Sequence, residues 1–288
     1  MTQKFGRNYR LTIDTRDGAE QIIIEPPLTF SMSVKRATMA SLNTGIFQIT
    51  NLSKETYSAI FQDWNLHDVN RKVKVEAGYG SELATIFSGS IWEANTARQG
   101  TEIVTTIRSK DGSFESFVDM TFQTLQSGTD IKDVFKTLIG SSNLEYGAVG
   151  EFDQTFKRPV VLDGNIWKLI QKYSNEQCFI DLGKVYVLPR GQVVSGGEDI
   201  QVIDASTGLL ETPRREQQWL ILKMLFEPRL NLGRKIQLKS QFLPEYDGEY
   251  EIIGVNHEGL ISEAECGRLI TTLTLNAPFG GIKEVSGG

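Results

Sequence analysis

Two histidines, two cysteines and a few paired acids are the side chains here whose chemistry would suit a metal site or a catalytic centre. His67 and His257 lie far apart, and neither stands in an HExxH or equivalent pattern, the spacing that brings two imidazoles onto one face of a helix around zinc. His257-Glu258-Gly259 falls where a strand is expected to meet a turn and reads as a local hydrogen-bonding group. Cys178 and Cys266 have no CxxC or Cys/His partner and read as reduced, buried small residues. Glu249 and Glu251 would share one face of a strand, yet acids without a cleft do not make a glycosidase, and Glu263 and Glu265 read equally as solvated turn residues. Arg214-Arg215 offers charge to a phosphate or an acidic partner, although two charges in a polar connection are ordinarily solvated. The run from Gly191 to Gly197 lacks the GxxxxGK[ST] pattern of a phosphate cradle and reads as a turn, and no GxSxG elbow is present. The expectation is a protein with no catalytic, cofactor-binding or metal-binding residues, and not an enzyme.

Composition narrows the class. A chain of 288 residues buries roughly three quarters of its extended surface, so core size is not limiting. Hydrophobic content of 40% with 23% charge is ordinary for a globular protein, and no apolar run approaches the roughly 18 residues of a membrane span. The opening residues, MTQKFGRNYRLTID, carry no apolar core or cleavage site of a secretory signal, so cytosolic synthesis is expected. A formal net charge of −6 argues against gripping nucleic acid, which needs clustered Lys and Arg, but suits a surface that DNA passes without sticking.

The elements that must position these residues are mostly strands. Tyr9 to Ile13, Gln21 to Glu25, Thr29 to Val34 and Gly45 to Thr50 alternate at period two, with Asp17-Gly18 as a hairpin turn and Pro26-Pro27 as punctuation. Over residues 53–65 the period changes: Tyr57, Ile60, Phe61 and Trp64 follow helical spacing behind Ser53 as N-cap, predicting a short helix laid against the core. From Asp111-Gly112 the composition shifts. Helices are predicted over Phe114 to Leu125, from Thr129 to Gly140, and after Asp163-Gly164-Asn165 with Ile166, Trp167, Leu169, Ile170 and Tyr173 inward. Ser141 to Arg158 reads as loop, Pro159 to Leu162 as a strand, and Cys178 to Asp181 with Lys184 to Leu188 as a hairpin across Leu182-Gly183. Beyond Asp199 to Leu210, a polar connection Glu211 to Arg215 leads into a strand over Trp219 to Phe226, and the glycine-rich tail, Ala277 to Gly288, is expected to fray.

One stretch is written twice. Arg71 to Ser109 and Arg234 to Leu275 both open on Arg-Lys and an alternating strand, Val73 and Val75 in the first, Ile236 and Leu238 in the second. With three extra residues around Asp247-Gly248, Phe87 matches Ile253, and Ile103-Val104-Thr105-Thr106-Ile107 falls on Leu269-Ile270-Thr271-Thr272-Leu273. Two readings fit: a duplicated module, or two unrelated meanders alike in β composition. We take duplication as the expectation.

The order of short motifs adds a resemblance. Asn51-Leu52-Ser53 with its helix, Val73-x-Val75-x-Ala77-Gly78-Tyr79, Ile86-Phe87-x-Gly89 and Thr105-x-Ile107-x-x-x-Asp111-Gly112 resemble the N-terminal barrel of phage tail baseplate hub proteins, the tube-to-spike adaptor family. Thr207-Gly208-Leu209-Leu210-x-x-Pro213, Met224-Leu225-Phe226-x-Pro228-x-Leu230-x-x-Gly233, Val255-x-His257-Glu258-Gly259 and Thr271-x-Leu273 resemble the same family's second barrel. The resemblance implies an α+β, mainly β fold of two tube-protein-like antiparallel β-barrel modules, 1–112 and 199–288, separated by a helical and hairpin insert, 113–198. It further implies a homotrimeric ring in the virion tail baseplate, assembled in the host bacterial cytoplasm, that adapts a sixfold tail tube to a trimeric spike. Partners would be the tail tube protein, the spike and other baseplate proteins, with tape-measure protein and DNA passing through unbound and no membrane insertion. Readings from other classes are a tail-associated cell-wall hydrolase, which needs an appended lysin, and a type VI secretion spike-like component, which normally continues into a β-helical needle.

Overall fold

The computed structural model describes residues 4–15, 20–39, 41–63, 70–195, 200–264, 267–277 and 281–287. The Asp17-Gly18 turn, Trp64, His67, Glu265 and Cys266 of the sequence reading lie outside these residues.

The period-two segments form strands: β1 (Arg7–Asp14), β2 (Gln21–Ile24), β3 (Phe30–Ala37) and β4 (Thr44–Thr50). Each buries alternate residues, as a half-covered antiparallel sheet requires. Helix α1 (Lys54–Ile60) starts where expected, with the Ser53 hydroxyl accepting from the Thr56 N–H. It stops short of the predicted range: Phe61 leaves the helical conformation, with ψ at 130°, and it is exposed instead of lying on the core. The buried Arg71 holds that helix end, donating to the carbonyls of Ala59, Ile60 and Phe61, where the helix dipole favours a cation. Strands β5 (Lys72–Tyr79), β6 (Glu82–Gln99) and β7 (Glu102–Lys110) complete the first half.

The middle of the chain differs from its prediction in two places. Helix α2 (Ser113–Val118) ends at Asp119, and Met120–Leu125 is a strand, β8, not the continuation of a helix. Its residues also alternate at period two, and pairing with β10 (Val160–Asn165) decides between the two periods, leaving Met120 and Phe122 exposed. Helix α3 (Ile131–Gly140), capped by Asp130, and α4 (Ile166–Ser174), capped by Asn165, bury the expected Ile131, Val134, Phe135, Leu138 and Ile139, and Ile166, Trp167, Leu169 and Ile170. The supposed loop after α3 holds β9 (Glu145–Val149), which pairs in parallel with β12 (Lys184–Val187), itself the hairpin partner of β11 (Cys178–Asp181). Parallel partners lie far off in sequence and leave no local turn signal, which is why β9 was hidden.

The same reason explains β13 (Gln192–Ser195), part of the run read as a turn, which pairs in parallel with β20 (Lys283–Ser286) in the tail expected to fray. Between them come β14 (Gln201–Ile203), the edge strand β15 (Arg214–Glu216), β16 (Trp219–Leu225), β17 (Lys235–Leu238), β18 (Gly248–Ile261) and β19 (Leu269–Asn276).

The architecture is mainly β and antiparallel, and the described residues form no closed barrel. One open sheet runs β15-β16-β19-β18-β3-β4-β7-β6-β5-β1-β2, with β17 on the first part of β18 and β14 on β17. Among the described residues the two expected modules lie as two stretches of one shared open sheet. β18 joins them: Gly248 to Glu251 pair with β17, and Gly254 to Ile261 pair with β3.

The ladders on either side of β6 and β18 keep the same register. Lys72 opposite Ser90 answers Lys235 opposite Glu251, and Ala94 opposite Ile107 answers Val255 opposite Leu273. The bulge between Ile91 and Glu93 faces Ser109 and Arg108; that between Ile252 and Gly254 faces Leu275 and Thr274. Trp92, not Phe87, thus stands level with Ile253. The outer strands of the sequence match hold, and the central strand is displaced because the loop spanning 239–247 is longer than the tight turn Gly80-Ser81.

Three apolar clusters lie beneath. One gathers Tyr9, Phe30, Phe47, Val75 and Phe87 with Phe226 from the far half; a second centres on Leu222, Leu232, Ile236 and Leu273; a third packs α3 and α4 on β11 and β12.

Candidate functional site: a buried polar joint and two strand edges

The β3 alternation Phe30, Met32, Val34 points inward, and the next inward residue is Arg36, a cation 2% exposed. A buried cation needs partners, and the fold gathers them from two distant segments. Its guanidinium donates to the Leu230 carbonyl at 2.7 Å, to both Asp181 oxygens at 3.3 and 3.4 Å, and to Asn231 Oδ1 at 3.4 Å. Asn43 closes the cluster, donating from Nδ2 to Asp181 Oδ1 at 3.0 Å and to the Ile180 carbonyl at 2.8 Å while its Oδ1 accepts from the Ala37 N–H. Asp111, directly after β7, accepts from the Gly183 N–H at 3.0 Å, and its Oδ2 has no hydrogen-bond partner among the described residues.

Burial pushes the Asp111 carboxyl up to about 8, helped by repulsion from Asp181. Burial also raises Asp181, opposed by Arg36. His257 sits beside this cluster in mid-strand, not at the strand-turn junction expected of it, and is fully buried. Burial, then the Arg36 charge, hold its pKa well below the ordinary histidine value. Its Nδ1 lies 2.9 Å from the Thr271 hydroxyl, which accepts from the Glu227 N–H at 3.0 Å, and Phe226 packs edge-on at 5.2 Å. The groups are sealed from substrate. What they can do is lock β3, the β7 end, the β11–β12 hairpin and the second half into one body.

The remaining sequence candidates do not come together. Glu251 is buried, with its pKa raised by burial, and accepts from Asn276; Glu249 is exposed and pairs with Lys235, which also holds Glu284 at 2.9 Å. Cys178 is buried and its thiol is pushed up to about 11 by burial. Among the described residues no group of three or more His, Cys, Asp or Glu could hold a metal, and no helix is long and apolar enough to cross a membrane.

Arg214 and Arg215 turn out to lie in β15, at one end of the sheet. Arg214 pairs with Glu216, and the Arg215 guanidinium lies over Tyr246 at 5.5 Å. The matching open edge is the second half of β6. Where β18 has β3 alongside, β6 beyond its bulge has, among the described residues, only the bridge from Gln62 to Ala94. Reading the sequence alone missed Arg36, Asn43, Asp111 and Asp181 as a unit. The one available signal was a charge at an inward strand position.

Comparison with known proteins fits this architecture. The chain is similar in structure to a 43 kDa tail protein of prophage MuSo2 from Shewanella oneidensis, at 8% identity and a TM-score of 0.60, covering 92% of this chain and 96% of that one. It is likewise similar to a tail protein from Neisseria meningitidis, at 10% identity and a TM-score of 0.54, covering 95% and 97%. An Escherichia coli component of the type VI secretion system, itself described as similar to the T4 tail proteins gp27 and gp5, matches at 10% identity and a TM-score of 0.56, covering 90% and 76%. These likenesses concern the fold. No curated protein sequence matches the chain. The family model for baseplate hub gp41 matches residues 9–259, most of the chain, and this protein belongs to that baseplate hub family.

Proposed function

We propose that the protein is a non-enzymatic structural subunit of the hub, forming a homotrimeric ring that adapts a sixfold tail tube to a threefold spike. Family membership supports a structural role in the virion tail baseplate. The finer reading rests on one observation: the two ladders around β6 and β18 share register and bulge position within one open sheet. A module duplicated in the chain and repeated by threefold symmetry offers six near-equivalent surfaces on one side and three on the other. On this reading the modules are 1–112 and 199–288, with 113–198 inserted, and the barrels close only between subunits. The tail tube protein and a trimeric spike are the partners, other baseplate proteins dock outside, and the acidic chain lets tape-measure protein and DNA pass. Assembly takes place in the host cytoplasm. The type VI component shares the fold at 10% identity, which speaks to architecture, and the family match favours the baseplate over that system.

Electron microscopy of the purified chain, alone and with its tube and spike proteins, tests this. A threefold ring with a central pore and a pseudo-sixfold end view is the expected result. A chain that stays monomeric in every mixture overturns it.

A further inference from the structure

Within the chain, the joint between the halves is a strand pairing. Beyond the Ile252/Gly254 bulge, β18 runs antiparallel to β3, with Asn256 opposite Lys35, His257 opposite Val34 and Glu258 opposite Ser33. The other ends of the two ladders carry the same pieces, unjoined among the described residues. Beyond the Ile91/Glu93 bulge, Thr96 stands level with His257, because Thr96 faces Thr105 as His257 faces Thr271. The polar contact is the same too: the Thr96 and Thr105 hydroxyls are 2.9 Å apart, as are His257 Nδ1 and the Thr271 hydroxyl. At the opposite end of the sheet, β15 holds the place beside β16 that β3 holds beside β4. Ser33 opposite Ile46 and Lys35 opposite Thr44 correspond to Arg214 opposite Ile221 and Glu216 opposite Trp219.

We propose that a second copy of this chain docks here, its β15 pairing antiparallel with β6 of the first in the register of the β3–β18 joint. Transposing that joint sets Glu216 opposite Asn95, Arg215 opposite Thr96 and Arg214 opposite Ala97. The inference rests on the ring reading and adds the contact that closes the ring. An edge-to-edge contact between unlike edges is heterologous, so each copy keeps one edge of each kind free until rotation closes the set. Two features keep the ladder short. Gln62 already occupies the backbone of Ala94, donating and accepting at 2.9 Å, and Pro213, which falls opposite Arg98, has no N–H to give. Both limit indiscriminate strand addition at exposed edges.

Cysteine cross-linking of the full chain tests the register. In the β3–β18 joint the Thr38 N–H donates to the Ile253 carbonyl, which by alternation makes Ser33 and Glu258 a non-hydrogen-bonded pair. Ala97 and Arg214, their counterparts, would then have Cα atoms about 4.5 Å apart, within disulfide reach. Both residues are exposed, and circular dichroism checks that the variants fold. Under mild oxidation, the Ala97→Cys/Arg214→Cys variant is expected to shift from monomer to covalent dimer and trimer on non-reducing gels. Each single variant, which keeps the native Cys178 and Cys266, sets the background, and Asn95→Cys/Arg214→Cys reports an off-register pairing. A threefold ring in which the in-register pair stays at background, or in which the off-register pair links instead, overturns this inference and leaves the ring reading standing. A chain that never assembles removes both.

Discussion

The ladders β5-β6-β7 and β17-β18-β19 carry their bulge at the same rung, yet they meet their surroundings differently. β18 continues into β3 and seals a buried cluster of Arg36, Asn43, Asp111 and Asp181 beside the junction; β6 continues to an edge plugged once by Gln62. The same strand geometry thus ends in a pairing within the chain in one case and, among the described residues, at an edge in the other. What separates them, among the described residues, is the polar lock beside the inner junction.

Substitutions along matched positions break or sharpen this contrast. The largest effect is expected at Arg36, which stands opposite Val255 in the joint. Arg36→Ala leaves Asp181 buried without its cation and should cost about 3–5 kcal/mol, whereas Gln217→Ala, at the corresponding exposed place after β15, should cost no more than about 0.5 kcal/mol. Urea unfolding at pH 7 measures both, and equal costs would deny the lock its role.

The pH axis comes next. Asp111 binds its proton more tightly folded than unfolded, so its contribution is full below its ordinary value and is lost as pH rises to about 8. His257 acts in the opposite sense: its folded value is depressed, so stability is lost as pH falls below about 6.5, its unperturbed value. The two oppose each other below about pH 6.5, and of the two Asp111 alone acts from there to about 8, with a slope of at most about 1.4 kcal/mol per pH unit. Asp111→Asn should flatten the unfolding free energy over that upper window, read from urea melts at half-unit steps.

The paired threonines give a smaller contrast. Thr271→Val strands both His257 and the Glu227 N–H, at a cost of about 2–3 kcal/mol, while Thr105→Val, whose partner Thr96 is half-buried, should cost about 1 kcal/mol. Thermal melts of the two variants side by side give the order. Least of all, Lys72→Ala removes the ion pair to Glu115 and Lys235→Ala those to Glu249 and Glu284, and each should cost under about 1 kcal/mol by the same melts.

The legible part of this molecule was its local periodicity. Alternation located β1, β3, β4, β5 and β7, and helical spacing with a cap located α3 and α4, because in these segments burial on one face repeats at the element's own period. Met120 to Leu125 satisfied both periods, and only its partner β10 decided. β9, β13 and β20 were missed because parallel pairing is set by residues far along the chain, which leave no turn to read. The joint was hidden for the same reason: Arg36 and Asp181 are 145 positions apart, and nothing near either one names the other. The matching ladders were legible in their outer strands and misaligned in the middle one, where loop length, not strand chemistry, carries the difference.

The β3–β18 pairing has a consequence for how the chain folds. Thr38 meets Ile253 across 215 residues of sequence, so this joint carries a large loop-closure entropy and should form after the local hairpins on either side. Until it does, β3 and β18 are themselves free edges, and β18 of one nascent chain can take β3 of another in the native register. Closing on itself or exchanging halves with a neighbour then becomes a matter of concentration, and dilution during refolding should decide which product is trapped.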